Sequence, residues 1–312
     1  MLNNNNSVVG VVGLGAMGLG SAVAILEAGL SVIGCDISVR ARDVFVSKGG
    51  RSVATLAELA AECDVVVLLV VNAEQVETVL FGEGGLTTEL APGSLIIQCA
   101  TIAPSYARAL GTRLAEFGLL MLDAPVSGGT VKAKAGQLSV MSSGGPDAYV
   151  KGENILAAMA ATVYRLGDSP GVGSSVKLVN QHLAGVHIAA AAEAMALGMR
   201  MGIDADTLYE VITHSAGNSW MFENRVPHII KGDYTPLSAV DIFVKDLNIV
   251  HQTGRELALA MPVAASALQQ FTAASGMGLG REDDSAVIKV YQRLSGIELP
   301  KGKVAQGEEV NQ

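Results

Sequence analysis

Residues 7–36 read SVVGVVGLGAMGLGSAVAILEAGLSVIGCD. A β-branched run at 7–12 predicts a short buried strand. Gly13-Leu14-Gly15-Ala16-Met17-Gly18 follows at once, and the Ala-rich amphipathic stretch 19–28 predicts a helix that Gly29 closes. A second apolar strand is expected at 30–35, with Asp36 at its end, 23 residues after Gly13. Strand, glycine turn, helix, strand and terminal acid, in that order, form a βαβ unit with a dinucleotide fingerprint. Gly13 permits the tight turn, Gly15 lets the backbone approach a pyrophosphate, and Gly18 lets the helix pack on the strand. Leu14, Ala16 and Met17 complete the cofactor-binding turn. The pyrophosphate is expected at the positive end of the helix. A carboxylate at Asp36 accepts hydrogen bonds from ribose hydroxyls and repels a 2′-phosphate, so the cofactor expected is NAD. Arg40 and Arg42 read as the solvated start of a helix.

The alternation continues. A helix is expected at 56–62 with Thr55 as its N-cap. The run DVVVLLVV at 64–71 reads as a parallel strand buried on both faces. Further helices are expected at 74–80 and 105–116, and strands at 94–98, 119–122 and 138–142. The fold class is α/β: an open, doubly wound Rossmann sheet over residues 1–165. Such sheets bind ligands at the carboxyl ends of their strands. Gly13, Asp36, Thr101 and Ser127 all fall at such ends and outline one crevice.

Beyond residue 165 the strand signal stops, and residues 166–312 read as an all-helical domain. It opens on residues 171–202, GVGSSVKLVNQHLAGVHIAAAAEAMALGMRMG. Ala, Leu and Met are strong helix formers, and at 1.5 Å per residue this interdomain helix would be ~40 Å long. It is apolar or small on nearly every face, which predicts burial most of the way round. Lys177 and Asn180, at i and i+3, project from one face. Helices are expected at 205–215, 220–230, 240–257, 264–275 and 285–294, with Asp204 and Ser238 as caps. The asparagine run near the start and the last dozen residues read as polar tails.

Composition narrows the function classes. Net charge is −9 with no basic cluster, which argues against nucleic acid. The long helix is interrupted by His182, His187 and Glu193, so no membrane span is expected. No basic segment precedes the first apolar run, so no signal peptide is expected. The sparse cysteines Cys35, Cys63 and Cys99 fit a reducing cytoplasm and read as small buried hydrophobes. The five histidines show no ligand spacing, and no metal is expected.

Four blocks, in order, resemble the β-hydroxyacid dehydrogenases of the 3-hydroxyisobutyrate dehydrogenase family. They are Gly13-Leu14-Gly15-Ala16-Met17-Gly18, Asp123-Ala124-Pro125-Val126-Ser127-Gly128-Gly129, the stretch from Gly171 through Lys177 to Asn180-Gln181, and Phe243-Val244-Lys245-Asp246-Leu247. The resemblance implies that Lys177 is catalytic, that Ser127, Gly128, Gly129 and Asn180 bind substrate, and that Thr101 and Lys245 contact the nicotinamide end of the cofactor. Two positions depart from the family: Ala100 stands where Ser is usual, and Asn72 where Pro is common. Within the family, residues 177–202 and 214–220 are most similar to the L-threonate dehydrogenase branch, which oxidises a four-carbon sugar acid at C2. Alternatives are oxidation of 3-hydroxyisobutyrate and reduction of tartronate semialdehyde. His182, Asn218 and Asp241 are polar candidates for the substrate pocket. Imine reductases share the architecture but usually lack the lysine, and a non-catalytic NAD-binding protein would not need it. The apolar long helix implies a homodimer or homotetramer. Partners beyond that are a small hydroxy acid, with neither nucleic acid nor membrane.

In this chemistry a base must take the hydroxyl proton as hydride leaves. Lys177 fills that role in its neutral form, and its ammonium would return the proton in the reverse reaction.

Overall fold

Short runs of β-branched and aliphatic residues separated by capped helices leave the chain little choice but to stack parallel strands between helical layers. The computed structural model describes residues 8–300; Ser7 and both polar tails lie outside them. The chain divides into two units, the first ending at Leu178 and the second beginning at Val179.

In the first unit the order is β1 (Val8–Val12), α1 (Ala16–Glu27), β2 (Ser31–Cys35), α2 (Val39–Ser47), β3 (Arg51–Val53), α3 (Leu56–Ala60), β4 (Val65–Leu68), α4 (Ala73–Phe81), α5 (Leu86–Glu89), β5 (Leu95–Gln98), α6 (Pro104–Glu116) and β6 (Leu120–Asp123). The six strands are all parallel, in the order β3-β2-β1-β4-β5-β6. The strand order reverses between β1 and β4, which opens a crevice at their carboxyl ends. Every residue of β4 and β5 is buried, as their unbroken apolar runs require. Apolar clusters pack on both faces of the sheet, one around Phe45, Val67 and Ile97, the other around Leu68, Ile96 and Leu110.

The single sheet expected through residue 142 is corrected. After β6 the chain forms a separate three-stranded sheet of β7 (Val126–Ser127), β8 (Leu138–Ser142) and β9 (Ala160–Arg165), with α7 (Gly129–Lys134) and α8 (Pro146–Met159) between them. Pro125 has no N–H to continue the ladder of β6. The two sheets stay joined by a bridge in which Asp123 and Ser143 exchange both backbone bonds, at 2.9 and 2.8 Å.

Caps explain the helix starts. Thr55 and Glu58 close a capping box on α3. Asn72, one of the two positions that depart from the resemblance, caps α4 by accepting from Gln75 N at 2.9 Å.

Helix α9 (Val172–Arg200) begins in the first unit and runs on into the second. The second unit continues with α10 (Ala205–Thr213), α11 (Trp220–Lys231), α12 (Val240–Glu256), α13 (Pro262–Ala274) and α14 (Ile288–Ser295). Asp204 caps α10 through Thr207 N, as expected. Ser238 does not cap α12: Ala239 holds that position, and the Ser238 carbonyl accepts from Asp284 N instead. Phe243 and Phe271 stack with centroids 5.2 Å apart, and Arg225 makes a buried fork to both oxygens of Asp284.

The long helix is not buried most of the way round. Leu178, Ile188, Ala192 and Met195 are buried, while Val172, Val176, Val179, Leu183 and Leu197 are exposed. Their spacing of three and four residues, continued twice over before Leu197, draws one apolar stripe. Among the described residues α9 alone has the length and hydropathy of a membrane span; its opposite face is instead protein core.

Candidate active site

The glycine turn is built around two close approaches. Gly13 has φ +92°, and a Cβ there would lie 2.7 Å from Leu69 O. A Cβ on Gly18 would lie 1.8 Å from Gly13 O, so α1 can start against this turn only with glycine at 18. A Cβ at Gly15 meets nothing within 4 Å, so that position faces open space. Gly15 supplies no side chain to cap α1, and no acidic residue occupies the first turn. The exposed start of α1 therefore presents backbone N–H groups and the positive end of a helix dipole, which fits a dinucleotide pyrophosphate.

Asp36 follows β2 and is pinned from two sides. Its Oδ2 accepts from Leu14 N at 2.6 Å and its Oδ1 from Ser38 N at 2.7 Å. Arg42, on α2, donates to the backbone carbonyl of Asp36. The acid and the glycine turn are thereby one rigid piece. Ser38 caps α2, so Arg40 and Arg42 do stand in the first turns of a helix.

Thr101 lies beyond the end of β5. The Gln98 side chain bonds both backbone groups of Ala100, accepting from its N and donating to its O at 3.0 Å. The loop is thus held by its backbone, and alanine suffices at 100.

Asp123 ends β6 and is fully buried. Its Oδ2 accepts from Gly171 N and Ser174 N, both at 2.8 Å, and its Oδ1 accepts from Ser174 Oγ at 2.6 Å. Ser143, equally buried, accepts from Gly173 N at 3.0 Å. Burial pushes the Asp123 carboxyl above the usual range, while the bonds from Ser174, Gly171 and Ser143 pull the other way. Lys177, on the next turn of α9, is only 6% exposed. Four residues beyond Asp123, Ser127 ends β7. Gly128 (φ +130°) and Gly129 (φ +70°) then open α7 with no side-chain cap, leaving N–H donors for an anion.

In the second unit two hydrogen bonds and an ion pair join the remaining site residues. Asn180 Nδ2 donates to Gln181 Oε1 at 3.0 Å, Gln181 Nε2 donates to Asp246 Oδ2, and Lys245 Nζ lies 2.6 Å from Asp246 Oδ1. Asp246 is buried at 1% exposure and Gln181 at 7%. Asn180 and Lys245 are therefore held through a shared acid.

Sequence reasoning assigned no role to Asp123, Ser143, Gln181 or Asp246. Three of these sit inside the quoted motifs, so the signal was their place there; Ser143 carried none. Two pocket candidates have structural tasks. Asn218 donates to Thr213 O and Glu223, and Asp241 accepts from Ser275 Oγ at 2.6 Å. The three cysteines are unpaired and buried; burial pushes the Cys63 thiol up to about 12 and raises Cys35 and Cys99 as well. Among the described residues no group of three or more His, Cys, Asp or Glu could hold a metal.

Residues 8–167 match the family described as the NAD binding domain of 6-phosphogluconate dehydrogenase, and residues 171–291 that described as NAD-binding of NADP-dependent 3-hydroxyisobutyrate dehydrogenase. The chain belongs to the 3-hydroxyisobutyrate dehydrogenase family. It is an NAD-dependent hydroxyacid dehydrogenase. An L-threonate dehydrogenase of Cupriavidus necator is 59% identical over 94% of this chain and 97% of its own length. One from Escherichia coli K12 is 52% identical over 95% and 97%. A crystal structure named as 3-hydroxyisobutyrate dehydrogenase from Salmonella typhimurium superposes with a TM-score of 0.86 at 51% identity, covering 91% of this chain and 99% of the other.

The glycine geometry yields a direct test. Gly18→Ala is expected to weaken NAD binding at least about tenfold, since the turn must open to admit a methyl group and losing one N–H bond to a charged phosphate costs about 1.5 kcal/mol or more. Calorimetric titration with NAD checks this; an unchanged Kd would mean that the turn does not hold the cofactor.

Proposed function

We propose that the enzyme oxidises L-threonate at C2 and that Lys177 is the general base. The base reading rests on the burial of Lys177 one turn into a helix whose start is fixed to the strand leading to Ser127. The substrate reading is supported by the several relatives named L-threonate dehydrogenase at 49–59% identity. A relative of similar identity carries the name 3-hydroxyisobutyrate dehydrogenase, so that acid is the second reading. We place the functional boundary between the nucleotide and substrate domains at residues 165–166, where the last strand ends.

The residues divide the work. The Gly13–Gly18 turn and Asp36 would hold NAD, with Ala16 and Met17 lending backbone N–H groups and Leu14 N tying the turn to Asp36; Thr101 and Lys245 would contact its nicotinamide end. When bound, NAD accepts the hydride from the carbinol carbon. Ser127 Oγ and the N–H groups of Gly128 and Gly129 anchor the acid's carboxylate. Asn180 bridges substrate oxygens. Neutral Lys177 Nζ takes the hydroxyl proton as the carbonyl forms, and the resulting ammonium releases it to solvent. The buried free thiols fit a reducing cytoplasm. The exposed stripe Val172, Val176, Val179, Leu183 and Leu197 supports a homo-oligomer formed through α9.

Three measurements test this. First, kcat/KM is compared for L-threonate, 3-hydroxyisobutyrate and L-serine with NAD and NADP, alongside tartronate semialdehyde reduction. L-threonate with NAD is expected to lead, with NADP about tenfold or more behind because its 2′-phosphate meets the Asp36 carboxylate; a preference for another acid overturns the substrate, and equal use of NADP overturns the role of Asp36. Second, Lys177→Met should keep NAD binding and lose at least about 10² in kcat. Because only the neutral amine accepts a proton, wild-type initial rates of oxidation should rise with pH, and that limb should vanish in the variant. Near-normal kcat in a folded, NAD-binding variant would remove Lys177 as base. Third, light scattering should find a dimer or tetramer that Leu183→Glu dissociates; a wild-type monomer would defeat this point.

A further inference from the structure

We propose that Asp123 is a positioning residue for Lys177, its buried carboxylate fixing the first turn of α9 to the strand end from which the Ser127 loop departs. This rests on the reading of Lys177 as base.

A helix start leaves N–H groups without intrahelical partners. In α9 the residue before the helix is Gly171, at φ +105°, which has no side chain to offer them. The acceptors come instead from distant positions: Asp123 takes Gly171 N and Ser174 N, and Ser143 takes Gly173 N. Ser174 Oγ donates to the second carboxylate oxygen. Both acceptors are fully buried, so the turn cannot exchange them for water. A negative carboxylate also suits the positive end of a long helix.

The approach is as close as a backbone allows. A Cβ on Gly173 would lie 2.3 Å from Met141 O and 2.6 Å from Asp123 O. Only glycine lets the helix descend onto the ends of β6 and β8, and the bridge between Asp123 and Ser143 keeps those ends together. Lys177 stands four residues after Gly173 and three after Ser174, on the same face of the helix. The direction in which its amine leaves the helix is therefore set by the turn that Asp123 holds. Ser127 follows Asp123 by four residues along the chain. One carboxylate is common to the base and to the loop that would anchor the substrate's acid group. A plain helix cap would stabilise the protein without regard to this relation. A positioning residue makes the rate of each folded molecule depend on it, because a reacting group displaced by about 1 Å can lose on the order of 10² in rate.

The test uses the full chain carrying Asp123→Ala, Asp123→Asn or Lys177→Met, with kcat expressed per NAD-binding site from calorimetric titration. Asp123→Ala is expected to lower kcat about tenfold or more while NAD Kd stays within about twofold. Asp123→Asn should recover most of that loss, because one amide oxygen in the Oδ2 position still receives both N–H groups. Wild-type kcat per site in Asp123→Ala overturns the proposal, as does an Asp123→Asn no better than Asp123→Ala. If Asp123→Ala does not fold, Asp123→Asn combined with Ser174→Ala takes its place: a kcat per site below that of Asp123→Asn alone supports the proposal, and an equal one overturns it. Lys177→Met separates the two readings. If it is slow while Asp123→Ala is not, only the positioning role falls. If it keeps wild-type kcat, the base reading falls and takes this proposal with it.

Discussion

Two helices in this protein start against strand ends at distances that no side chain permits. At α1 the contact is Gly18 on the Gly13 carbonyl, and at α9 it is Gly173 on the carbonyls of Met141 and Asp123. Each brings a row of N–H groups to the carboxyl side of the sheets. At α1 that row stays exposed and suits the phosphates of a cofactor. At α9 it is taken up by Asp123 and Ser143. The same device therefore serves twice: once with its donors open to a ligand, and once with them closed so that a lysine one turn further on is held still.

Much of this was legible in the sequence because local chemistry and tertiary packing agree there. The Gly13–Gly18 turn, the capping residues Thr55 and Asp204, the strand runs and the unbroken helix after Gly171 each carry their own cause. What failed had its cause elsewhere in the chain. The second sheet depends on Pro125 ending one ladder and on a bridge to Ser143, twenty residues away. Ser238 looked like a cap, but its carbonyl is engaged by Asp284 and the helix begins two residues later. The exposed stripe of α9 was invisible because composition counts apolar residues without saying which face meets the core.

The candidate site shows the same division. Residue types with obvious chemistry, such as Lys177 and Asp36, could be singled out from pattern and from the family resemblance. The groups that hold them were not, because a buried acid such as Asp246 or Asp123 announces nothing until its partners are seen. Asn218 and Asp241, polar candidates for the pocket, are both hydrogen-bonded within the helical unit.

Asp36 also bears on cofactor choice through the bonds that hold it. A flexible carboxylate could swing aside for a 2′-phosphate, and Arg42 could then approach it. Here both groups are already engaged. The carboxylate is bonded to Leu14 N and Ser38 N, so turning it away would break its bonds to the glycine turn and to the residue that precedes α2. Arg42 is tied to the carbonyl of the same residue, and freeing it would leave that acceptor without its donor. On the proposed reading, discrimination against NADP would come from the held position of the carboxylate as well as from its charge, since like charges a few ångströms apart repel.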